Sequence, residues 1–165
     1  MARSKTIPDD QVLGAVRQLL AAGGDKAVSF GAVGRATRLA PSTLAQRFGT
    51  VAAMRTAALH DGWATLIEAT ASAIDAAADK GPQGLLKALD PLAATVPGLQ
   101  AATTDEASRA LATDWRTQVE TALALRIGQN DKAREAAAIL FAAWQGQLLW
   151  GGEAFRIKDI LKRLS

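Results

Sequence analysis

The sequence contains no cysteine, no tyrosine and only one histidine, His60. Without thiols the chain has neither disulfides nor thiolate metal sites, and a single imidazole is too few for a multi-histidine metal cluster. The sequence also lacks a glycine-rich phosphate loop, a nucleophile beside a plausible base, and a carboxylate pair in an apolar setting. We therefore expect a protein that is not an enzyme and that needs no metal or other cofactor.

Long hydrophobic runs are also missing. The longest uncharged stretch, residues 136–152, is shorter than the roughly 20 apolar residues that span a bilayer, and it contains Gln145 and Gln147. The first ten residues have no apolar segment of the kind found in secretion signals. These features predict a cytoplasmic protein without a membrane segment.

The residues that are abundant favour helices. The chain of 165 residues is 49% hydrophobic and 21% charged, and alanine and leucine are common throughout. High helix propensity and clustered turn residues predict an all-α protein.

Charge is unevenly spread: residues 1–60 hold eight Lys and Arg against three Asp and Glu, whereas residues 61–165 hold eleven against thirteen. An excess of cations suits contact with phosphates, although many basic faces are simply solvated.

Turn and capping residues divide the first fifty positions into three helices. The first predicted helix begins after Pro8, and acidic residues occupy its first turn. Ser29 is placed to cap a second helix over 30–37. A short turn then leads to a third helix over 41–48, which Gly49 ends. Two short helices joined by a tight turn are typical of a helix-turn-helix.

The third helix combines an apolar and a polar stripe. Leu44 and Phe48, four residues apart, are expected to face the core. The polar residues predicted for the opposite stripe are Ser42, Thr43, Gln46 and Arg47. In a helix-turn-helix such side chains enter the major groove, where arginine pairs with guanine, glutamine with adenine, and a hydroxyl with a base or phosphate. The alternative is the ordinary solvated surface of a three-helix unit.

The remaining sequence also reads as helices. In chain order we first predict a connecting helix over 51–79 and a broken helical region over 83–95, which is interrupted at Pro91 and closed by Pro97-Gly98. A helix over 104–127 follows, and a Thr103–Glu106 capping box begins it. The last two predicted helices are one from Asn130 to Trp150 and a short amphipathic one over 156–164. We expect two domains, 1–50 and 51–165, with the 51–79 helix connecting them.

The N-terminal pattern resembles a known family. From Val12 to Leu59 the matching residues are Gly23, Ser29, Ala36 followed by Leu39, Thr43-Leu44, Phe48-Gly49 and Ala53-Met54. In order and spacing they are similar to the DNA-binding domain of TetR-family regulators. The resemblance implies an N-terminal helix-turn-helix domain and a C-terminal helical domain for ligand binding and dimerisation. It further implies a repressor that binds a palindromic double-stranded DNA operator as a homodimer and is released by a small effector.

The resemblance assigns residues as well. Ser42, Thr43, Gln46 and Arg47 occupy the recognition-helix positions. Further DNA contacts are expected from Ser29, Arg38, Arg55 and, on the N-terminal arm, Arg3 and Lys5. Three positions depart from the family pattern: Arg38 replaces a turn glycine, Ala45 a tyrosine, and Val51 a lysine that often contacts a phosphate. Arg55, one turn after Val51, is a possible substitute for that lysine.

The C-terminal part offers fewer signals. By analogy with the family, the helices over 132–150 and 156–164 would form a dimer interface. The side chains considered for a pocket that binds a small apolar effector are Trp63, Ile67, Trp115 and Trp144, although core packing is the commoner use of tryptophan. A second possible function is that of a helical interaction protein which has kept the TetR-like fold but lost operator binding.

Overall fold

The computed structural model describes residues 7–151, and every regular element in this range is helical. The eight α-helices are α1 (Asp9–Gly23), α2 (Phe30–Thr37), α3 (Pro41–Phe48), α4 (Val51–Ala76), α5 (Pro82–Ala93), α6 (Val96–Ala102), α7 (Glu106–Ile127) and α8 (Asp131–Trp150), with a 3₁₀ turn at Asp25–Ala27. The prediction of an all-α protein is confirmed for this part of the chain. The amphipathic helix predicted over 156–164 lies outside the described residues.

The described residues form two compact units. The first contains residues 7–64 and 98–111, and the second contains 65–97 and 112–151. The core of the first unit is built from α1 to α4; its buried residues are Val12, Leu13, Val16, Val28, Val33, Leu44, Met54 and Ala58. The largest fully buried side chains of the second unit are Trp115, Leu85, Leu89, Val119, Leu123 and Leu140. The predicted functional boundary at residue 50 stays a prediction.

Local signals account for the three N-terminal helices. Asp9 and Asp10 lie in the first turn of α1, where negative charge meets the positive end of the helix dipole. The Ser29 hydroxyl accepts a hydrogen bond from the Ala32 amide at 3.1 Å and so caps α2. Pro41 occupies the first turn of α3, where its missing N–H has no helical partner to lose. The predicted bounds of α2 and α3 are confirmed.

Two predictions around proline are wrong. Helix α5 continues through Pro91 to Ala93, although Pro91 has no N–H to donate to the Lys87 carbonyl. The helix buries Leu85 and Leu89 on one face. Pro97 does not close a helix either. It is the second residue of α6, a first-turn position in which no backbone hydrogen bond is lost. Burial of an apolar face therefore outweighs the helix-breaking tendency of Pro91, whereas Pro97 lies where a proline does not disturb a helix.

The predicted capping box at Thr103 is also wrong. Helix α7 is capped by Asp105, whose carboxylate accepts from the Ser108 amide at 2.9 Å. The Thr103 hydroxyl instead donates to the Leu99 carbonyl at 2.8 Å and accepts from the Trp63 indole at 3.1 Å. Helix α4 ends at Ala76 and not at residue 79.

Candidate nucleic-acid interface

The turn between α2 and α3 leaves little space. A Cβ atom added at Gly34 would lie 2.7 Å from the Leu39 carbonyl oxygen, so the residue must be glycine for the backbones to approach this closely. The Thr37 hydroxyl is buried and donates to the Val33 carbonyl at 2.7 Å. Arg38 follows with φ 58° and ψ 28°, in the left-handed region where glycine is the usual residue. These contacts fix the direction in which α3 leaves the turn.

Helix α3 presents different side chains on its two sides. Leu44 is fully buried, and Phe48 packs against the same core. Ser42 and Gln46 are exposed, and Thr43 is half-buried between the two sides. The short polar side chains predicted to contact DNA therefore lie together on the solvent side of one helix.

Arg47 has a different environment from its polar neighbours. Its Nη1 atom donates to the Ile7 carbonyl at 2.8 Å and pairs with the Asp9 carboxylate at 3.3 Å. Its side chain is 22% exposed, against 65% for that of Asp9. The guanidinium is thus engaged at the start of α1 within the same unit.

The other cations predicted to contact DNA differ in the exposure and ion pairing of their side chains. Arg38 is exposed at the turn, and Arg35 is exposed one turn earlier on α2. Arg55 pairs with Asp25 at 2.8 Å, and its side chain is only partly exposed. Arg35 was not among the cations predicted from the sequence to contact DNA, although its position shortly before Arg38 in a basic segment was a signal. Lys5 and Arg3 lie outside the described residues.

A polar cluster joins α4 to the start of α7 in the first unit. His60 Nε2 lies 3.1 Å from Asp105 Oδ1, and the Ser108 hydroxyl donates to the same carboxylate at 2.6 Å. Hydrogen bonds from the Ser108 hydroxyl and amide, and then from His60, hold the pKa of Asp105 well below its usual range. Since Asp105 also caps α7, this cluster ties two helices together.

The tryptophans predicted to line a pocket are buried. The Trp63 indole donates to Thr103 in the first unit. In the second unit Trp115 donates to the Thr70 hydroxyl at 2.9 Å, and Trp144 donates to Asp90 at 2.7 Å. The rings of Trp115 and Trp144 also pack against Phe141, with centroid distances of 5.6 and 6.0 Å. These are the contacts of core residues.

Two surface grooves lie on the second unit. One of about 520 Å³ runs between α4 and α7, past Ile74, Thr121 and Arg126. The other, of about 480 Å³, lies beside α7 and the start of α8. Neither groove is lined by Ile67 or by the three tryptophans, and the Ile67 carbonyl accepts from Gln118 at 3.3 Å. The assignment of these four residues to an effector pocket stays a prediction.

Helix α8 buries one side and exposes the other. Leu140 and Trp144 belong to the core, whereas Ile139, Leu149 and Trp150 are exposed, the last to 86%. Among the helices of residues 7–151, none is sufficiently long and apolar to cross a bilayer. The same range contains no group of three or more His, Cys, Asp or Glu residues arranged to hold a metal ion.

Comparison with known proteins adds no assignment: the sequence matches no protein-family model, and no curated protein is significantly similar to it.

Proposed function

We propose that this chain is a sequence-specific DNA-binding transcriptional regulator of the TetR type, with α3 as its recognition helix. The observation that carries the proposal is the exposure of Ser42 and Gln46 on the side of α3 opposite Leu44, next to a tight turn that fixes the helix direction. Helix-turn-helix proteins use this side of their second helix to contact base edges in the major groove.

The side chains suit specific contacts. The Gln46 side-chain amide can form two hydrogen bonds with adenine: its N–H donates to N7, and its carbonyl oxygen accepts from the N6 amino group. The hydroxyls of Ser42 and Thr43 can contact a base or a phosphate. Arg35 and Arg38, exposed on α2 and at the turn, are placed to neutralise phosphates beside the groove. The basic balance of residues 1–60 supports this part of the proposal.

The rest of the proposed function concerns assembly and control. We infer a homodimer, since a two-fold protein holds two recognition helices about 34 Å apart for a palindromic operator. The exposed Ile139, Leu149 and Trp150 on α8 support a protein partner on that helix. In the proposed mechanism a small apolar effector binds the C-terminal part and favours a spacing of the recognition helices that no longer fits the operator, which relieves repression.

One set of observations favours the second candidate, a helical interaction protein that has lost operator binding. Arg47 and Arg55 are both engaged in internal ion pairs, with Asp9 and Asp25. Ala45 supplies no hydroxyl for a phosphate. This candidate predicts DNA binding that is weak and independent of sequence.

A selection experiment separates the two candidates. Duplexes bound by the full chain are enriched from a random pool, and the affinity for the enriched sequence is measured by fluorescence anisotropy. Gln46→Ala should weaken binding to that sequence about 5- to 150-fold, which corresponds to about 1–3 kcal/mol, and should leave binding to random duplex unchanged. The matched control is Gln83→Ala, which removes an exposed glutamine from α5.

Two outcomes would refute the proposal. The first is a pool in which no sequence becomes enriched. The second is a Gln46→Ala variant that binds the enriched sequence as tightly as Gln83→Ala does.

A further inference from the structure

The groove between α4 and α7 in the second unit is lined by one side of each helix. On α4 the lining residues Ala71, Ile74 and Asp75 are three and four positions apart, so they lie on the same side of that helix. The lining residues of α7 recur at the same spacing from Asp114 onward. The volume of this α4–α7 groove is about 520 Å³, which is within the range of sites that bind small molecules.

Apolar surface of the groove is exposed to solvent. Leu125 is 62% exposed, and it is the one exposed large hydrophobic residue outside α8 among residues 7–151. Across the groove Ile74 is half-buried. A ligand with an apolar body that covers these two side chains removes their surface from water, which favours binding.

The charge of the groove that has no compensating partner is negative. Asp75 and Asp114 are exposed, and neither forms an ion pair within residues 7–151. Arg126 also lines the groove, but it donates at 3.0–3.2 Å to carbonyls at the end of α4 and just after it, those of Ile74, Ala77 and Lys80. Carbonyls at a helix C-terminus carry partial negative charge, so they already stabilise this guanidinium. The two carboxylates are left to attract a cation.

A buried acceptor in the same groove lacks a donor. Gln118 lines the groove, and its Oε1 atom is buried without a hydrogen-bond partner among the described residues. The other end of the same amide is engaged, because Nε2 donates to the Ile67 carbonyl at 3.3 Å. A buried acceptor without a donor costs free energy, so an N–H group that reaches Oε1 is favoured.

We propose that the α4–α7 groove binds an organic cation that has an apolar body and N–H donors, of which an aryl amidinium is an example. The apolar body covers Leu125 and Ile74, and the cationic group is attracted by Asp75 and Asp114. The chain as a whole carries a net charge of +3, so a preference for cations has to arise locally. Binding of the cation does not depend on DNA. That this ligand is the effector rests on the proposed function, and the effector is then a cation and not an uncharged molecule.

Three probes of nearly equal size test the class of ligand. They are 2-naphthamidine, which is a cation, 2-naphthamide, which is neutral, and 2-naphthoate, which is an anion. Each is titrated into the ¹⁵N-labelled full chain, and amide resonances are followed. The amidine should bind saturably below about 1 mM and shift the amides of Ile74, Thr121 and Leu125. The neutral amide should bind about 2- to 30-fold more weakly, because two charge contacts are lost, and naphthoate should bind more weakly still.

Substitutions of exposed residues test the location. Asp75→Asn and Asp114→Asn should each weaken amidine binding about 1.5- to 5-fold, the range expected for exposed charge pairs, and the double variant about 2- to 30-fold. The matched control is Asp79→Asn, which removes an exposed carboxylate that does not line the groove. Ala71→Trp places a ring in the groove and should abolish binding, whereas Ala110→Trp, at an exposed position of α7 outside the groove, should not.

Three results would overturn the proposal. The first is a neutral amide that binds as tightly as the amidine. The second is a double Asp variant that binds the amidine as tightly as Asp79→Asn does. The third is a groove occupied by a second copy of the chain, in which case the amidine affinity falls as the protein concentration rises and Ala71→Trp lowers the sedimentation coefficient.

The site and the proposed function fail in different ways. If the amidine binds as expected but the chain enriches no DNA sequence, the proposed function is refuted and the cation site stands. If the chain binds an enriched sequence but not the amidine, the cation site is refuted and the proposed function stands. If both bind and a saturating amidine leaves the DNA affinity unchanged, the site stands and its role as the effector site is refuted.

Discussion

Replacing Arg38 by glycine should make the protein more stable and, under the proposed function, lower its affinity for DNA. Arg38 is the one non-glycine residue with positive φ among residues 7–151, at φ 58°. An L side chain in the left-handed region costs about 1–2 kcal/mol, because Cβ crowds the following carbonyl. Glycine removes that cost, but it gives the unfolded chain about 0.4–1 kcal/mol of additional conformational freedom.

The net gain follows from these two terms. The free energy of unfolding should rise by about 0.5–1 kcal/mol for Arg38→Gly. For a chain of this size, that gain raises the melting temperature by about 1–4 °C. Arg38→Ala keeps Cβ and should leave the free energy of unfolding unchanged, as should Arg38→Lys. Equilibrium denaturation in urea measures all three variants, with the slope m expected to stay constant.

The same variants separate stability from DNA binding. Arg38→Gly and Arg38→Ala both lose the charge, so the slope of log affinity against log salt should fall by about one in each. Arg38→Lys should retain that slope. If Arg38→Gly is no more stable than Arg38→Ala, then relief of the left-handed conformation is not what limits stability at this turn, and the reasoning is refuted.

Two further predictions concern the first unit. Gly34→Ala should lower the free energy of unfolding by about 1–3 kcal/mol, because its Cβ meets backbone across the turn; Gly31→Ala, which has room on the same helix, should not lower it. Asp105→Ala should cost about 0.5–2 kcal/mol at neutral pH through loss of the α7 cap. Because folding lowers the pKa of Asp105, its contribution is fully present above the ordinary aspartate pKa of about 3.9 and is lost as the pH falls through the lower folded value. Thermal and urea unfolding at several pH values measure both effects.

Each of these has a contradicting result. Equal free energies of unfolding for Gly34→Ala and Gly31→Ala would show that the turn accommodates the added methyl group without loss of stability. A deficit of Asp105→Ala that stays constant as the pH falls from neutral to strongly acidic would show that the carboxylate charge contributes nothing to the cap.

The first three helices could be predicted from the sequence because their signals are local. Ser29 acts on an amide three residues away, Pro41 acts at its own position, and Gly49 ends the helix that precedes it. Each residue needs only its immediate neighbours to have this effect. The bounds of α2 and α3 follow from them.

Side-chain partners from distant parts of the chain account for what could not be predicted. The Thr103–Glu106 spacing matches a capping box, but the Thr103 hydroxyl accepts a hydrogen bond from the indole of Trp63, forty positions earlier. The cap of α7 therefore falls to Asp105. The prediction that Ser42 and Gln46 lie on the exposed side of α3 is confirmed. Arg47, however, pairs with Asp9, which is 38 positions away in sequence. No periodicity within one helix specifies such a partner.

The internal contacts of two arginines determine which side chains the proposed DNA interface would depend on. With Arg47 held by Ile7 and Arg55 held by Asp25, the exposed cations on α2 and at the turn before α3 are, among residues 7–151, Arg35 and Arg38. Discrimination between bases would then rest on short, uncharged side chains, while affinity would rest on phosphate contacts beside them. Such an interface should be strongly sensitive to salt in affinity but not in base preference, because counterion release accompanies the phosphate contacts alone.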